Sequence, residues 1–430
     1  AAQFSDRLPS REQTLVDANH LYQTGDLVAI DTLRAFVQRY PDDAEGWYQL
    51  AEAQYRARHL LALDDQELYA PFDRVFEIDS TLTPALIHAL ELSVADADSA
   101  RFVRYLRALE SGSAPGPAER FRTARRVIDA GPDSVVPILV RTARSTGYDP
   151  MQLAIDVLTL LVGARRTDRL PLVQAADTLL ATLSERDARR LDVLALKVRL
   201  LNGAGRSDAA RDAAGQVVSD APLEAARLLL SPAVAGASGM AGAVADGVRA
   251  LDAVHPFSLD EEQAVRYWRA LVAIRLNDLA EATRIAGAGT AAVSRTGADP
   301  YRGLFRAVRG WTDLVRGDTT SGVAALRDGL REAGYWPWVT RDAAPLRLVL
   351  ARTLVARPST REEGMRLLRL GIRPDAPDLA RLAAGELARA FIAAGNSPEA
   401  TRRYLRQLDY WRGSDSTLQL IIDEARRREH

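Results

Sequence analysis

"QTGDLVAIDTLRAFVQRYPDDAEGWYQLAEAQY", from Gln23 to Tyr55, sets a Gly-Asp pair and then a Pro-Asp-Asp triplet between amphipathic runs. Gly25 can adopt the left-handed backbone that ends a helix, and Asp26 can then accept backbone N–H groups at the start of the next. That next run carries Ile30, Leu33, Phe36 and Val37 at helical spacing. It must stop at Tyr40, because Pro41 disfavours helix in the residue before it. Trp47, Leu50, Ala51 and Tyr55 then begin a third helix. Upstream, Ser10 and Gln13 have capping-box spacing ahead of Leu15, Ala18 and Leu21. The pair is read as an interhelix turn, and the triplet as the close of a helical hairpin.

Weaker versions of this punctuation recur at Asp64-Asp65, Gly205-Arg206, Asn277-Asp278, Gly317-Asp318, Pro358-Ser359 and Gly395-Asn396. Capping-box spacings return at Ser258/Glu261, Ser359/Glu362 and Ser416/Gln419. Leu271, Val272, Leu276 and Leu279 keep a helical period, and no sustained strand-like alternation appears. A helix–turn–helix unit recurring every ~34–40 residues predicts an all-α solenoid, in which stacking buries faces that one hairpin cannot cover alone.

"AEGWYQLAEAQY" (Ala44 to Tyr55) and "GDLVAIDTLRAFVQRYP" (Gly25 to Pro41) resemble the first and second helices of a tetratricopeptide repeat (TPR). The resemblance is closest in 11–55, 190–222 and 301–412 and poorest in 111–165 and 228–256. It implies a TPR-like right-handed superhelix of roughly ten to twelve hairpins whose concave groove holds a protein or peptide. "APFDRVFEIDSTLTPALIHALELSVADADSARFVRYLRAL" (Ala70 to Leu109) and "LDYWRGSDSTLQLIIDEARRRE" (Leu408 to Glu429) are similar to divergent repeat regions attached to bacterial serine/threonine protein kinases and related signalling regulators. This implies the sensing or docking half of such a bacterial signalling protein, or a stand-alone relative of one. "SGSAPGPAE" (Ser111 to Glu119) is the best boundary, either a linker or a tight inter-repeat turn, dividing N-terminal repeats (1–110) from a longer solenoid (120–430). "SPAVAGASGMAGAVADG" (Ser231 to Gly247) reads as a thin, small-residue helix pair.

Composition narrows the function. The chain of 430 residues is 47% hydrophobic and 26% charged, as soluble folded proteins are, and its formal net charge of −1 gives no field for holding nucleic acid. The longest uncharged run, Leu228 to Ala245, is too weakly apolar for a membrane span. There is no cysteine, which excludes disulfides and thiolate chemistry and leaves a cytoplasmic or extracytoplasmic location equally open.

Residues that could carry chemistry favour structural readings. His20, His59, His88, His255 and His430 have no metal-pair spacing, so no metal and no cofactor are expected. Lys197, the only lysine, lies between leucine and valine in a helical run, where its stem packs on a neighbour. It serves neither a phosphate loop nor a Schiff base. Arg316-Gly317-Asp318 spells an adhesion motif that turn chemistry explains, and Asp64, Asp65 and Glu67 lack the ligand ladder of a calcium loop. No catalytic constellation appears, and an enzyme is not expected. The Lys and Asn set of repeats that clamp chaperone tails is also missing.

"EAGYWPWVTRD" places Tyr335, Trp336 and Trp338 around Pro337 between two predicted helices. Such residues serve either as a wedge between hairpins or as partner-binding anchors. The expected function is a non-enzymatic protein-interaction scaffold with these three as candidate contacts. The alternative is a structural protein that self-associates head to tail through its open ends.

Overall fold

In the computed structural model Gly25 has φ 77°, and the Asp26 carboxylate accepts the Val28 N–H at 2.9 Å. The turn joins α1 (Ser10–Gln23) to α2 (Val28–Arg39), which buries Ile30, Leu33, Phe36 and Val37. α3 (Ala44–Leu61) follows, with the Asp43 side chain accepting the Gly46 N–H at 2.9 Å. The capping box expected at Ser10 does not form. Pro9 precedes the first turn, and the Gln13 N–H goes to the Pro9 carbonyl.

The described residues are 7–393 except 62, 64, 97, 112–114, 146–148, 165–168, 238–239, 294–299, 336 and 372–378. After α3 come α4 (Asp65–Ile78), α5 (Thr83–Asp96), α6 (Ser99–Ser111) and α7 (Pro115–Ala130). A 3-10 turn, Pro132–Ser134, leads to α8 (Val135–Ala143), α9 (Pro150–Val162) and α10 (Arg169–Thr182). Then follow α11 (Arg189–Gly203), α12 (Ser207–Gly215), α13 (Pro222–Val234) and α14 (Ala241–Asp252). The last third holds α15 (Leu259–Arg275), α16 (Leu279–Val293), α17 (Pro300–Val315) and α18 (Thr319–Ala333). It ends with α19 (Pro337–Val355), the 3-10 turn Pro358–Thr360, α20 (Arg361–Gly371) and α21 (Ala380–Ala393). The described residues contain no strand; the chain is all-α.

The expected turns recur with their chemistry. Gly205, Asn277 and Gly317 have φ of 73°, 61° and 95°. Asp278 and Asp318 accept the N–H groups of Glu281 and Ser321, each at 3.0 Å, so Arg316-Gly317-Asp318 is a helix-start turn. Ser258 caps α15 through the Glu261 N–H at 3.2 Å, and Glu261 reaches back to the Phe257 N–H at 3.2 Å. Ser359 lies inside a 3-10 turn instead of capping a helix. Asp64, Gly395-Asn396 and Ser416/Gln419 fall outside the described residues.

Successive helices pair as hairpins, and odd-numbered helices also touch one another along one row, from α1·α3 and α3·α5 to α15·α17, α17·α19 and α19·α21. This is the packing of a helical-hairpin solenoid. The phase breaks at 115–182, where α8 packs on both α9 and α10 and α7 packs on α9. The tightest hairpin is α17/α18. A Cβ on Gly310 would lie 2.7 Å from the Gly322 carbonyl oxygen, and one on Gly329 2.5 Å from the Ala307 nitrogen, so glycine is required for this approach.

Two contacts bend the row back on itself. α13 touches α19, three odd helices further on, so the inner face between them is filled. The ends of the described chain also meet. Tyr335, 5% exposed, joins the apolar cluster of Leu15, Ile30, Leu33 and Leu50, and its hydroxyl donates to the Tyr22 carbonyl at 2.9 Å. The Tyr22 and Tyr335 rings lie 5.5 Å apart, and α3 touches α20.

Candidate partner-binding site

Two groups of interlinked polar side chains lie on the odd helices. The first links α1, α3, α5 and α7. Glu52 accepts from Tyr22 Oη at 3.1 Å and Arg56 Nε at 2.9 Å, and its other oxygen is ion-paired with His88 Nε2 at 2.9 Å. His88 Nδ1 lies 3.1 Å from Glu91, which also accepts from Tyr55 Oη at 3.0 Å and Arg120 Nη2 at 2.8 Å. The His88 ring stacks on Tyr55 at 4.6 Å, and the Arg58 guanidinium covers the same tyrosine at 4.1 Å.

Burial works against a charged His88, but its bonds to Glu52 and Glu91 win and raise its pKa to about 9. Burial likewise opposes a charged Glu52, yet His88 and Arg56 lower its pKa to about 2. His88 is thus a cation held between two carboxylates. The sequence gives no sign of the Glu52 partner; the i, i+3 spacing of His88 and Glu91 is the one available signal.

This ladder borders open space. A cleft of about 1370 Å³ runs between α5, α7, α8 and α9. Its apolar wall is Ile87, Ile138 and Leu153, and Arg120, Arg141 and Asp156 stand around it. Arg120 and Asp156 also line an adjoining cavity of about 200 Å³ beside Tyr55 and Arg58. Arg120 Nε is buried without an acceptor. Among the described residues, Arg141 bonds only its own helix, at Pro137 O, and Asp156 only Gln152, so neither has an ion-pair partner there.

The second group is closed. Asp342 on α19 is fully buried and takes Arg227 of α13 through both oxygens, at 2.9 and 3.0 Å. Tyr301 Oη and Trp268 Nε1 donate to the same carboxylate at 2.9 and 3.3 Å, and Tyr267 Oη donates to the Asp342 carbonyl at 2.6 Å. Nearby, Glu224 joins Arg199 and Arg341 at 2.9 and 2.7 Å. Nothing in the sequence announces this hub, because its members are spread from Arg227 to Asp342.

Of the candidate contacts, Tyr335 packs against the first hairpin, Trp338 lies in the first turn of α19, and Trp336 falls outside the described residues. Lys197 pairs with Asp177 of the neighbouring helix at 2.6 Å, as a helix-face lysine should. Among the described residues, no group of three or more His, Asp or Glu could hold a metal ion, and no helix is long and apolar enough to cross a membrane.

No protein-family model matches the chain, and no curated protein does. Solved structures that the chain matches include the TPR domain of P58(IPK), at 12% identity and TM-score 0.23, covering 84% of this chain and 99% of that one. The Cut9–Hcn1 hetero-tetramer of the APC/C is matched at 10% identity and TM-score 0.33, over 98% of this chain and 85% of that one. At these values the hairpin solenoid stands on the packing described above, not on the likeness.

Proposed function

We propose that the chain is a non-enzymatic scaffold that binds an extended protein segment in the cleft between α5, α7, α8 and α9. The cleft itself carries this reading. It pairs apolar walls with the unpaired charges of Arg141 and Asp156, a combination suited to a peptide of mixed charge and apolar side chains. Around Asp342 the corresponding inner face is occupied by the protein's own side chains, which leaves no room for a partner there. The similarity of Ala70 to Leu109 to kinase-attached repeat regions supports a docking role in bacterial signalling.

Partner capture from a native lysate should be compared between the wild type and the variants Leu153→Arg and Arg141→Glu. Loss of the same captured species in both, with unchanged thermal melts, is expected; equal capture by all three would refute the cleft as the site. The aromatic turn is a second proposed contact. Trp336→Ala and Trp338→Ala should reduce capture with little change in urea midpoint, whereas a midpoint loss with unchanged capture assigns the rings to the core. Head-to-tail self-assembly would instead give a mass in light scattering that rises with protein concentration.

A further inference from the structure

Where the end of α3 meets α18, α19 and α20, the structure encloses a second kind of space, a cavity of about 240 Å³. Its apolar part comes from distant parts of the described chain, with Leu60 and Leu61 facing Leu330, Leu350 and Leu367. The rest is cationic. Arg327, Arg331, Arg347 and Arg366 line it, against one carboxylate, Glu363. In a chain whose formal net charge is −1, this is a concentrated positive site.

Glu363 already shows the chemistry the cavity supports. Arg327 grips both of its oxygens, with Nε donating at 3.0 Å, in the forked geometry that guanidinium and carboxylate share. That pair satisfies Glu363. Arg331 and Arg366 are exposed at the same cavity and have no acidic partner among the described residues. Leucines beside unpaired guanidinium groups fit a ligand whose anionic group sits next to an aliphatic one. The space suits a few side chains and not a folded element, and the arginines gather at one cavity instead of forming the long basic track that a nucleic acid backbone needs.

We propose that this cavity binds an acidic peptide, with one carboxylate side chain on Arg331 and Arg366 and a neighbouring aliphatic side chain on the leucine floor. The site is separate from the α5–α9 cleft and does not depend on it. Because the floor is built from α3 on one side and α18–α20 on the other, the peptide touches both ends of the described chain at once.

The probe is an end-capped, dye-labelled hexapeptide of alternating leucine and glutamate, read by fluorescence anisotropy on the full chain. The same peptide with glutamine for glutamate is the control. Binding of the acidic peptide is expected to weaken as salt rises. It should fall at least tenfold in the Arg331→Gln/Arg366→Gln double variant, while the glutamine peptide binds no tighter to the wild type than to that variant. Both arginines are exposed and unpaired among the described residues, so the melting temperature should not move, and the single variant Arg366→Gln provides the same test in smaller degree. Equal affinity for the two peptides, equal affinity in the double variant, or no binding to the wild type in the millimolar range would overturn the proposal. So would binding that survives the double variant and is lost in Arg141→Gln, which would assign the peptide to the cleft.

Discussion

The Glu52–His88–Glu91 ladder and the Asp342 hub solve one problem with similar parts and opposite access. Each places carboxylates among basic side chains and tyrosine hydroxyls on the inner row of helices. The ladder stays partly wet and borders a cleft, with His88 17% and Glu52 13% exposed at the side chain, whereas Asp342 is at 0%. The difference lies in the row itself. Between α13 and α19 it curls until the inner face is full, and between α3 and α9 it does not. Charges in the first region link helices beside an open cleft; in the second they link helices inside a filled interior.

The sharpest way to break this comparison is Asp342→Ala. It removes the fully buried acceptor shared by the half-buried Arg227 cation and the Tyr301 and Trp268 donors, and should lower stability by ~3–5 kcal/mol in urea unfolding. A loss below about 1 kcal/mol would show that water reaches the hub. His88→Gln comes next, at up to ~3 kcal/mol near neutral pH, the linkage value of a pKa raised from 6.5 to about 9. Because the folded pKa is the higher one, the His88 contribution is full below pH 6.5 and is lost as pH rises through 9. The wild type should therefore lose its advantage over His88→Gln across that window. For Glu52, held near 2, the contribution is present above about 4.5 and lost as pH falls through 2. A His88→Gln deficit that is flat from pH 6 to 10 would contradict the ladder.

Gly310→Ala tests the hub indirectly, because α17 also carries Tyr301. The added methyl would push against α18 backbone, and a loss of ~1–3 kcal/mol is expected from thermal melts. An unchanged melt would mean that the hairpin can open without cost. The smallest effect is predicted for Tyr335→Phe, which keeps the ring and loses one hydrogen bond. The Tyr22 carbonyl still accepts from the Gly25 N–H, so the cost should be ~0.5–1 kcal/mol.

Local rules made most of the fold legible. Glycine and aspartate at Gly25-Asp26 and Gly317-Asp318, and the apolar stripe of α2, act within a few residues, and the structure follows them. Ser10 misled because spacing alone does not say which residue precedes the first turn; Pro9 does. The candidate sites were far less legible. Arg227 and Asp342 are 115 residues apart, and Glu52 and His88 meet only after α3 and α5 are stacked. Tyr335 was singled out for its aromatic character, but its role at the first hairpin depends on a bend that no local pattern encodes.

The contact between Tyr335 and Tyr22 has a consequence for synthesis, since the two residues are 313 positions apart. At ~5–20 residues per second, the ribosome adds the missing partner roughly 15 to 60 s after Tyr22 has been made. For that interval the first hairpin presents its Tyr22 face without its cover. Our hypothesis is that the N-terminal hairpins remain protease-sensitive on nascent chains stalled before residue 335 and become resistant once α19 has emerged. Equal resistance of chains stalled on either side of that point would show that the first hairpin is secure by itself.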